Sequence, residues 1–175
     1  MERKRREEKL LCNSKHTERM FCGIDNGVSG GITILNENGE VVLHEKTPVK
    51  RCLNYTKKKA FINRVVINEL RETLKKAGEN TYCMIERPMV NPGRFAATIS
   101  AMRCMEATEI VLEELLIPYQ WIDSKEWQKE LLPSGLKGDE LKVAALQVAT
   151  RLYPRLKVVN ADCLLIALHC RNKMK

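Results

Sequence analysis

Phe21-Cys22-Gly23-Ile24-Asp25-Asn26-Gly27-Val28-Ser29-Gly30-Gly31-Ile32-Thr33-Ile34-Leu35 is the stretch whose reading decides the fold. An apolar run ends in Asp25, crosses a turn built on Gly27, Gly30 and Gly31, and returns into β-branched residues, the pattern of a β-hairpin. Asp25 therefore falls at the tip of a strand, where the sheet holds a carboxylate rigidly with its head facing outward. That placement suits a metal ligand or a contact to phosphate. The same residue types also build tight turns for purely local reasons.

Working outward, Asn36 to Glu40 reads as a turn and Val41 to His44 as a third strand, so three antiparallel strands open the fold. Apolar residues from about Lys57 to Ala77 recur near helical spacing, and Gly78 is placed to stop that helix. Thr81 to Glu86 reads as a buried strand that again ends on a carboxylate, followed by a loop holding Pro88, Pro92 and Gly93. A second helix is expected from about Ala96 to Leu116, its small residues allowing close packing inside the domain or against a twin subunit. Tyr119 to Ile122 is a short strand, Ser124 the expected cap of a short helix carrying Trp127, and Pro133 to Gly138 a loop. Asp139 to Tyr153 is an amphipathic helix, and Asn160 caps a last, almost wholly apolar helix with Asp162 in its first turn. The order predicts an α/β fold, a mixed five-stranded sheet flanked by helices.

With 175 residues, 44% of them hydrophobic, the chain suffices for one domain with a genuine core. Residues 1–18 mix acids and bases without periodicity and read as a solvated tail, leaving residues 19–175 as the domain. A net charge of +8 favours a polyanionic partner. Lys50, Arg51, Lys57, Lys58 and Lys59, with Tyr55 among them and no acid, form a candidate phosphate-binding patch; a solvated helix start or loop would look the same. Seven scattered cysteines show neither a CxxC pair nor zinc spacing, which points to buried thiols in a reducing compartment. The absence of any apolar run of bilayer length and the charged start predict an intracellular, cytoplasmic protein that is not secreted and has no membrane partner.

Three acids lie where an apolar element ends: Asp25 and Glu86 after strands, Asp162 at the start of a buried helix. If the two strands are neighbours and the last helix crosses them, the carboxylates converge, and like charges brought together call for cations. Hard oxygen donors without a zinc pattern then point to Mg²⁺ or Mn²⁺. Local alternatives exist, since an acid in a first helical turn is favoured by the macrodipole and Glu86 could pair with Arg87.

The stretches Gly23-Ile24-Asp25-Asn26-Gly27, Ile85-Glu86-Arg87-Pro88 and Asn160-Ala161-Asp162-Cys163-Leu164-Leu165-Ile166-Ala167 resemble the three acidic motifs of RuvC-type Holliday-junction resolvases in the ribonuclease H-like superfamily. The similarity is greatest to the phage-encoded branch, through Trp127-Gln128-Lys129, Leu131-Leu132-Pro133 and Lys137-Gly138-Asp139. The resemblance implies a ribonuclease H-like domain and an endonuclease acting on branched DNA, the four-way junction, as a homodimer with two Mg²⁺ (or Mn²⁺) ions per site. It implies that Asp25 bridges both ions, with Glu86 and Asp162 holding one each or sharing the second. It gives Lys129 and Lys142 as catalytic candidates at the scissile phosphate, with Lys125 and Lys137 as rivals and DNA contacts. It puts Arg94 and Phe95 against DNA, Phe95 or Met89 serving where bacterial enzymes carry an aromatic wedge. Val159 occupies the place of those enzymes' fourth ligand; Asn160 and His169 are the residues that could replace it. Other readings are a ribonuclease H-like nuclease on flaps or RNA-DNA hybrids and a non-catalytic DNA-binding module of the same fold. An actin-like ATPase shares the Asp-x-Gly turn but needs a second domain.

Overall fold

A computed structural model describes residues 18–54 and 60–175. The expected tail, apart from its last residue, and the lysines at 57, 58 and 59 lie outside the described residues. The strands are β1 (Met20–Asp25), β2 (Gly31–Asn36), β3 (Val41–Lys46), β4 (Val49–Leu53), β5 (Phe61–Val65), β6 (Thr81–Glu86) and β7 (Tyr119–Ile122). The helices are α1 (Ile67–Lys75), α2 (Phe95–Glu114), α3 (Ser124–Leu131), α4 (Asp139–Leu152) and α5 (Ala161–Met174). Five strands form a mixed sheet in the order β3-β2-β1-β6-β7, and β4 with β5 forms a separate two-stranded ribbon. β2 pairs antiparallel with both β1 and β3, whereas β6 pairs parallel with β1 and β7 parallel with β6.

Helices cover both faces of the sheet. On one, Cys22, Ile24, Ile34, Cys83 and Ile85 pack against Leu70 and Leu74 of α1 and Val111 and Leu112 of α2. On the other, Phe21, Met84 and Ile122 meet Trp127 of α3, Ala145 of α4, and Leu165, Ile166 and Cys170 of α5. Strand side chains alternate between faces. Phe21, Gly23 and Asp25 therefore share the α5 side, and so do Met84 and Glu86. Gly23 is the point of closest approach: a Cβ there would stand 2.2 Å from the Ala167 amide nitrogen and 2.4 Å from the Cys163 carbonyl oxygen. Only glycine lets α5 lie directly on the central strand. The helix is then enclosed, with Cys163 to Ala167 wholly buried, which explains an apolar body without a polar stripe.

Two expectations are corrected. The helix expected from Lys57 begins only at Ile67, because Phe61–Val65 is a strand paired antiparallel with Val49–Leu53. Phe61 and Val65 are spaced as on a helix, but Ile62, Val65 and Val66 are β-branched and favour extended backbone when a partner strand is in reach. The cap of α3 is Asp123 rather than Ser124: Asp123 and Glu126 form a reciprocal capping box, Glu126 Oε1 accepting the Asp123 N–H at 2.8 Å. The stop of α1 near Gly78, the span of α2 and the Asn160 cap of α5 stand as expected.

Candidate active site

Asp25 is the last residue of β1 and Glu86 the last of β6. Their parallel register runs through Ile24 opposite Ile85, so the next step along both strands sets the two acids side by side, with backbones about 4.8 Å apart. The third acid arrives from the helix layer. Asn160 Oδ1 accepts the Cys163 N–H at 3.0 Å and caps α5, which places Asp162 in the first turn, over the same strand ends. Asn160 also crosses to the sheet: its Nδ2 donates to Asp25 Oδ2 at 2.7 Å. The turn after Asp25 is closed by the Gly30 N–H on Gly27 O at 3.1 Å and tied to α2 by Asn26 Nδ2 donating to the Ala101 carbonyl at 3.3 Å.

The three acids lie within one another's fields, and all are harder to ionise than in water. Burial pushes Asp25 from 3.8 up to about 6, the Asn160 hydrogen bond opposing and the Asp162 charge adding to the shift. Burial likewise lifts Glu86 from 4.5 to about 7, reinforced by the charges of Asp25 and Asp162 and resisted by Ser124 and Trp127. Trp127 Nε1 is buried and stops short of a properly formed hydrogen bond, so its effect on Glu86 is that of a nearby dipole. Asp162 is raised by burial and lowered by the Lys142 charge. Arg87 is not the partner of Glu86, since its Nε lies 3.6 Å from Asp123 Oδ1.

Among the described lysines named from the sequence, Lys142 on α4 is the one whose charge reaches Asp162; it is exposed, with Nζ 3.6 Å from Asp139 Oδ1. Lys125 and Lys129 are exposed on α3, Lys137 is exposed in the loop before α4, and Arg94 is exposed just ahead of α2. Phe95 is 72% and Met89 81% exposed. Lys50 and Arg51 project from the β4–β5 ribbon, where the Arg51 guanidinium sits 4.4 Å from the centre of the Phe61 ring. His169 is not available to the acids: it is buried, with Nδ1 2.7 Å from Glu130 Oε2. Asn160 has its oxygen committed to the cap and its NH₂ to Asp25, so it orients an acid rather than replacing one. Sequence reasoning missed Ser124 and Trp127 as neighbours of Glu86 and Asn26 as the tie to α2. The capping pattern at Asp123 was the available signal for the first two, since it fixes which face of α3 looks back at the strand end.

Among the described residues no three His, Cys, Asp or Glu side chains are gathered tightly enough to hold one metal ion. The donor set nevertheless fits a hard divalent cation in kind: three carboxylates whose shared repulsion a cation would relieve. Beside them Asn26 Oδ1 is buried without a hydrogen-bond partner, an oxygen in want of a positive neighbour.

The fold is that of RuvC. The chain superposes on T. thermophilus RuvC in complex with Holliday junction substrate with a TM-score of 0.57 at 12% identity, covering 89% of this chain and 96% of that one. A second Thermus thermophilus RuvC structure gives 0.53 at 14% identity over the same shares. At the level of sequence no family model and no curated protein matches. No helix among the described residues is long and apolar enough to cross a membrane.

Proposed function

We propose that this RuvC-like fold carries a metal-dependent, structure-selective endodeoxyribonuclease that cuts four-way DNA junctions as a homodimer, in the manner of the phage-type resolvases its motifs resemble. The observation that carries the reading is the convergence of Asp25, Glu86 and Asp162 at one end of the sheet, each held harder to ionise by burial. A protein that merely bound phosphate would gain nothing from a negative cluster facing its ligand. Asp25, Glu86 and Asp162 would together hold two Mg²⁺ or Mn²⁺ ions. Such a pair, when bound, supplies Lewis acidity and an activated water for in-line displacement at phosphorus.

The chain's own groups do the rest. Asn160 fixes one oxygen of Asp25, and Ser124 and Trp127 favour the ionised form of Glu86, so both are presented as ligands. Lys142, whose charge reaches Asp162, would meet a scissile phosphate, and Lys129, Lys125 and Lys137 would contact flanking backbone. The β4–β5 ribbon supports DNA binding independently. Lys50 stands directly opposite Arg64, a like-charge pair that costs stability unless an anion lies across it. Dimerisation is supported by a largely apolar groove of about 320 Å³ between the ribbon and α2, bordered by Ile62, Phe95, Ile99 and Ala107. Met102 and Ile110 are also left exposed on α2.

The test is incubation with a four-way junction, a flap, an RNA-DNA hybrid and plain duplex, with Mg²⁺ or with EDTA. Paired symmetric nicks on the junction, lost in EDTA, are expected. Cutting confined to flaps or hybrids would replace the resolvase with another ribonuclease H-like nuclease, and binding without cutting would leave an inert module. Sedimentation at micromolar concentration should give a dimer.

A further inference from the structure

Four hydrogen bonds leave the candidate active site and end at a histidine on the far side of β2. Thr33 on β2 and His44 on β3 are directly opposite one another. The Val159 N–H donates to His44 Nε2 at 3.0 Å, so that nitrogen carries no proton and a neutral ring must carry its proton on Nδ1. His44 Nδ1 lies 2.8 Å from Thr33 Oγ1, and the hydroxyl, receiving there, has its own proton for Cys163 Sγ at 3.1 Å. The thiol in turn points at the Asn160 carbonyl oxygen at 3.3 Å. Each donor is thereby assigned. Burial holds His44 below its usual value, which favours the neutral ring that this geometry requires.

Two links of this chain close on one residue. His44 grips the N–H of Val159, the residue before Asn160, and Cys163 grips the Asn160 carbonyl from the other side. Asn160 is thus held before and after its side chain, in an extended conformation with φ −154° and ψ 114°, and that side chain is the one that reaches Asp25. Thr33 and Cys163 are wholly buried, where a polar group kept without need would be costly. The packing leaves no slack: a Cβ on Gly31 would stand 2.9 Å from Cys163 Sγ and 3.0 Å from Asn160 Cβ.

We propose that His44, Thr33 and Cys163 are positioning residues for Asp25, a relay that locks Asn160 and through it fixes the carboxylate in the orientation a divalent cation requires. This rests on reading Asp25 as an acid of a nuclease site. Groups behind a ligand that orient it typically change metal affinity or activity by about 10–100-fold when removed.

The experiment uses the metal-free chain, labelled with ¹⁵N, and three versions of it: wild type, His44→Phe and His44→Gln. In the wild type, long-range nitrogen-proton correlations should show His44 protonated on Nδ1 alone. His44→Phe should shift the Asn160 side-chain amide resonances and weaken Mn²⁺ binding, measured by calorimetry without DNA, by about tenfold. On a junction it should lower kcat and leave KM for DNA unchanged. His44→Gln keeps an acceptor for the Val159 N–H and should recover most of the Mn²⁺ affinity. A proton on Nε2, or a folded His44→Phe protein with wild-type Asn160 resonances and wild-type Mn²⁺ affinity, overturns the relay. Should His44→Phe not fold, Thr33→Val cuts the same chain one link further on and is read in the same two ways. A wild type that cuts no DNA would sink the nuclease reading alone, because the tautomer and the Asn160 resonances still decide the relay.

Discussion

The end of the sheet where the acids meet and the β4–β5 ribbon are built on opposite terms. At the acid end every element is enclosed: β2 is buried along its whole length, α5 lies on Gly23, and the carboxylates are strained by that enclosure. The ribbon is a two-stranded excursion with four of five β4 residues exposed and charges set opposite one another. The first spends stability to hold charged groups still; the second gains little stability from its own core and keeps its cations in reach of solvent. Rigid placement of a reacting group and adaptable binding of a long polyanion demand those two different environments.

The contrast breaks most visibly at Asp25. Asp25→Asn should lower cleavage by roughly 10³-fold or more, as expected when several kcal/mol of transition-state stabilisation are lost. The same substitution should raise the thermal midpoint of the metal-free protein, since it removes one of three mutually repelling charges. A variant that cuts at the wild-type rate, or one that is less stable than wild type, would deny that the enclosed end is strained by its acids. Gly23→Ala attacks the enclosure instead. With no room for a Cβ beneath α5, the helix must lift from β1, and denaturant unfolding should register a loss of about 3 kcal/mol, the upper range for overpacking a core.

The pH dependence of stability separates the two regions without mutation. Unfolded, Asp25 and Glu86 release their protons near 3.8 and 4.5; folded, they hold them to about 6 and about 7. Between those values the folded chain binds more protons than the unfolded one, so their contribution is complete below about pH 4 and is lost as pH rises to about 7. At about 1.4 kcal/mol for each pH unit, the metal-free protein should lose about 3–6 kcal/mol across that window, the lower figure being one acid's share, and saturating Mg²⁺ should restore it. Stability that instead rises steadily from pH 4 to 7 would mean the acids are already satisfied.

The same division governs how much could be read from the chain. Strand ends at Asp25 and Glu86, the Asn160 cap and the buried α5 were legible because enclosure writes itself into apolar runs broken by a single acid. Their coming together was only conditional on β1 and β6 being neighbours, which no local pattern fixes and the parallel register of the two strands supplies. The grip of Asn160 on Asp25 was not legible, because the capping role already accounted for that residue and a hydrogen bond across 135 positions leaves no local trace. The ribbon was misread for the converse reason. Its residues are mostly exposed, so no alternation separated Phe61–Val65 from a helix start, and only pairing with β4 decides it. His169 stayed open as a replacement ligand because helical spacing gives a face but not the neighbour, and the neighbour is Glu130 on α3.

The ribbon therefore offers the smallest effect on stability and the clearest on binding. Arg51 stacks on Phe61 across the ribbon, an exposed contact worth about 0.5–1 kcal/mol. Arg51→Ala should accordingly shift unfolding by no more than that. If the guanidinium also meets a phosphate, the same variant should weaken junction binding and reduce the slope of log affinity against log salt by about 1, with kcat at saturating DNA unchanged. Arg51→Lys discriminates further: it keeps the charge and so the salt slope, while losing the planar stacking that arginine alone provides. An unchanged slope in Arg51→Ala would assign the stack to holding the ribbon together, and the cationic face of the molecule would then have to be sought on α3 and the loop before α4.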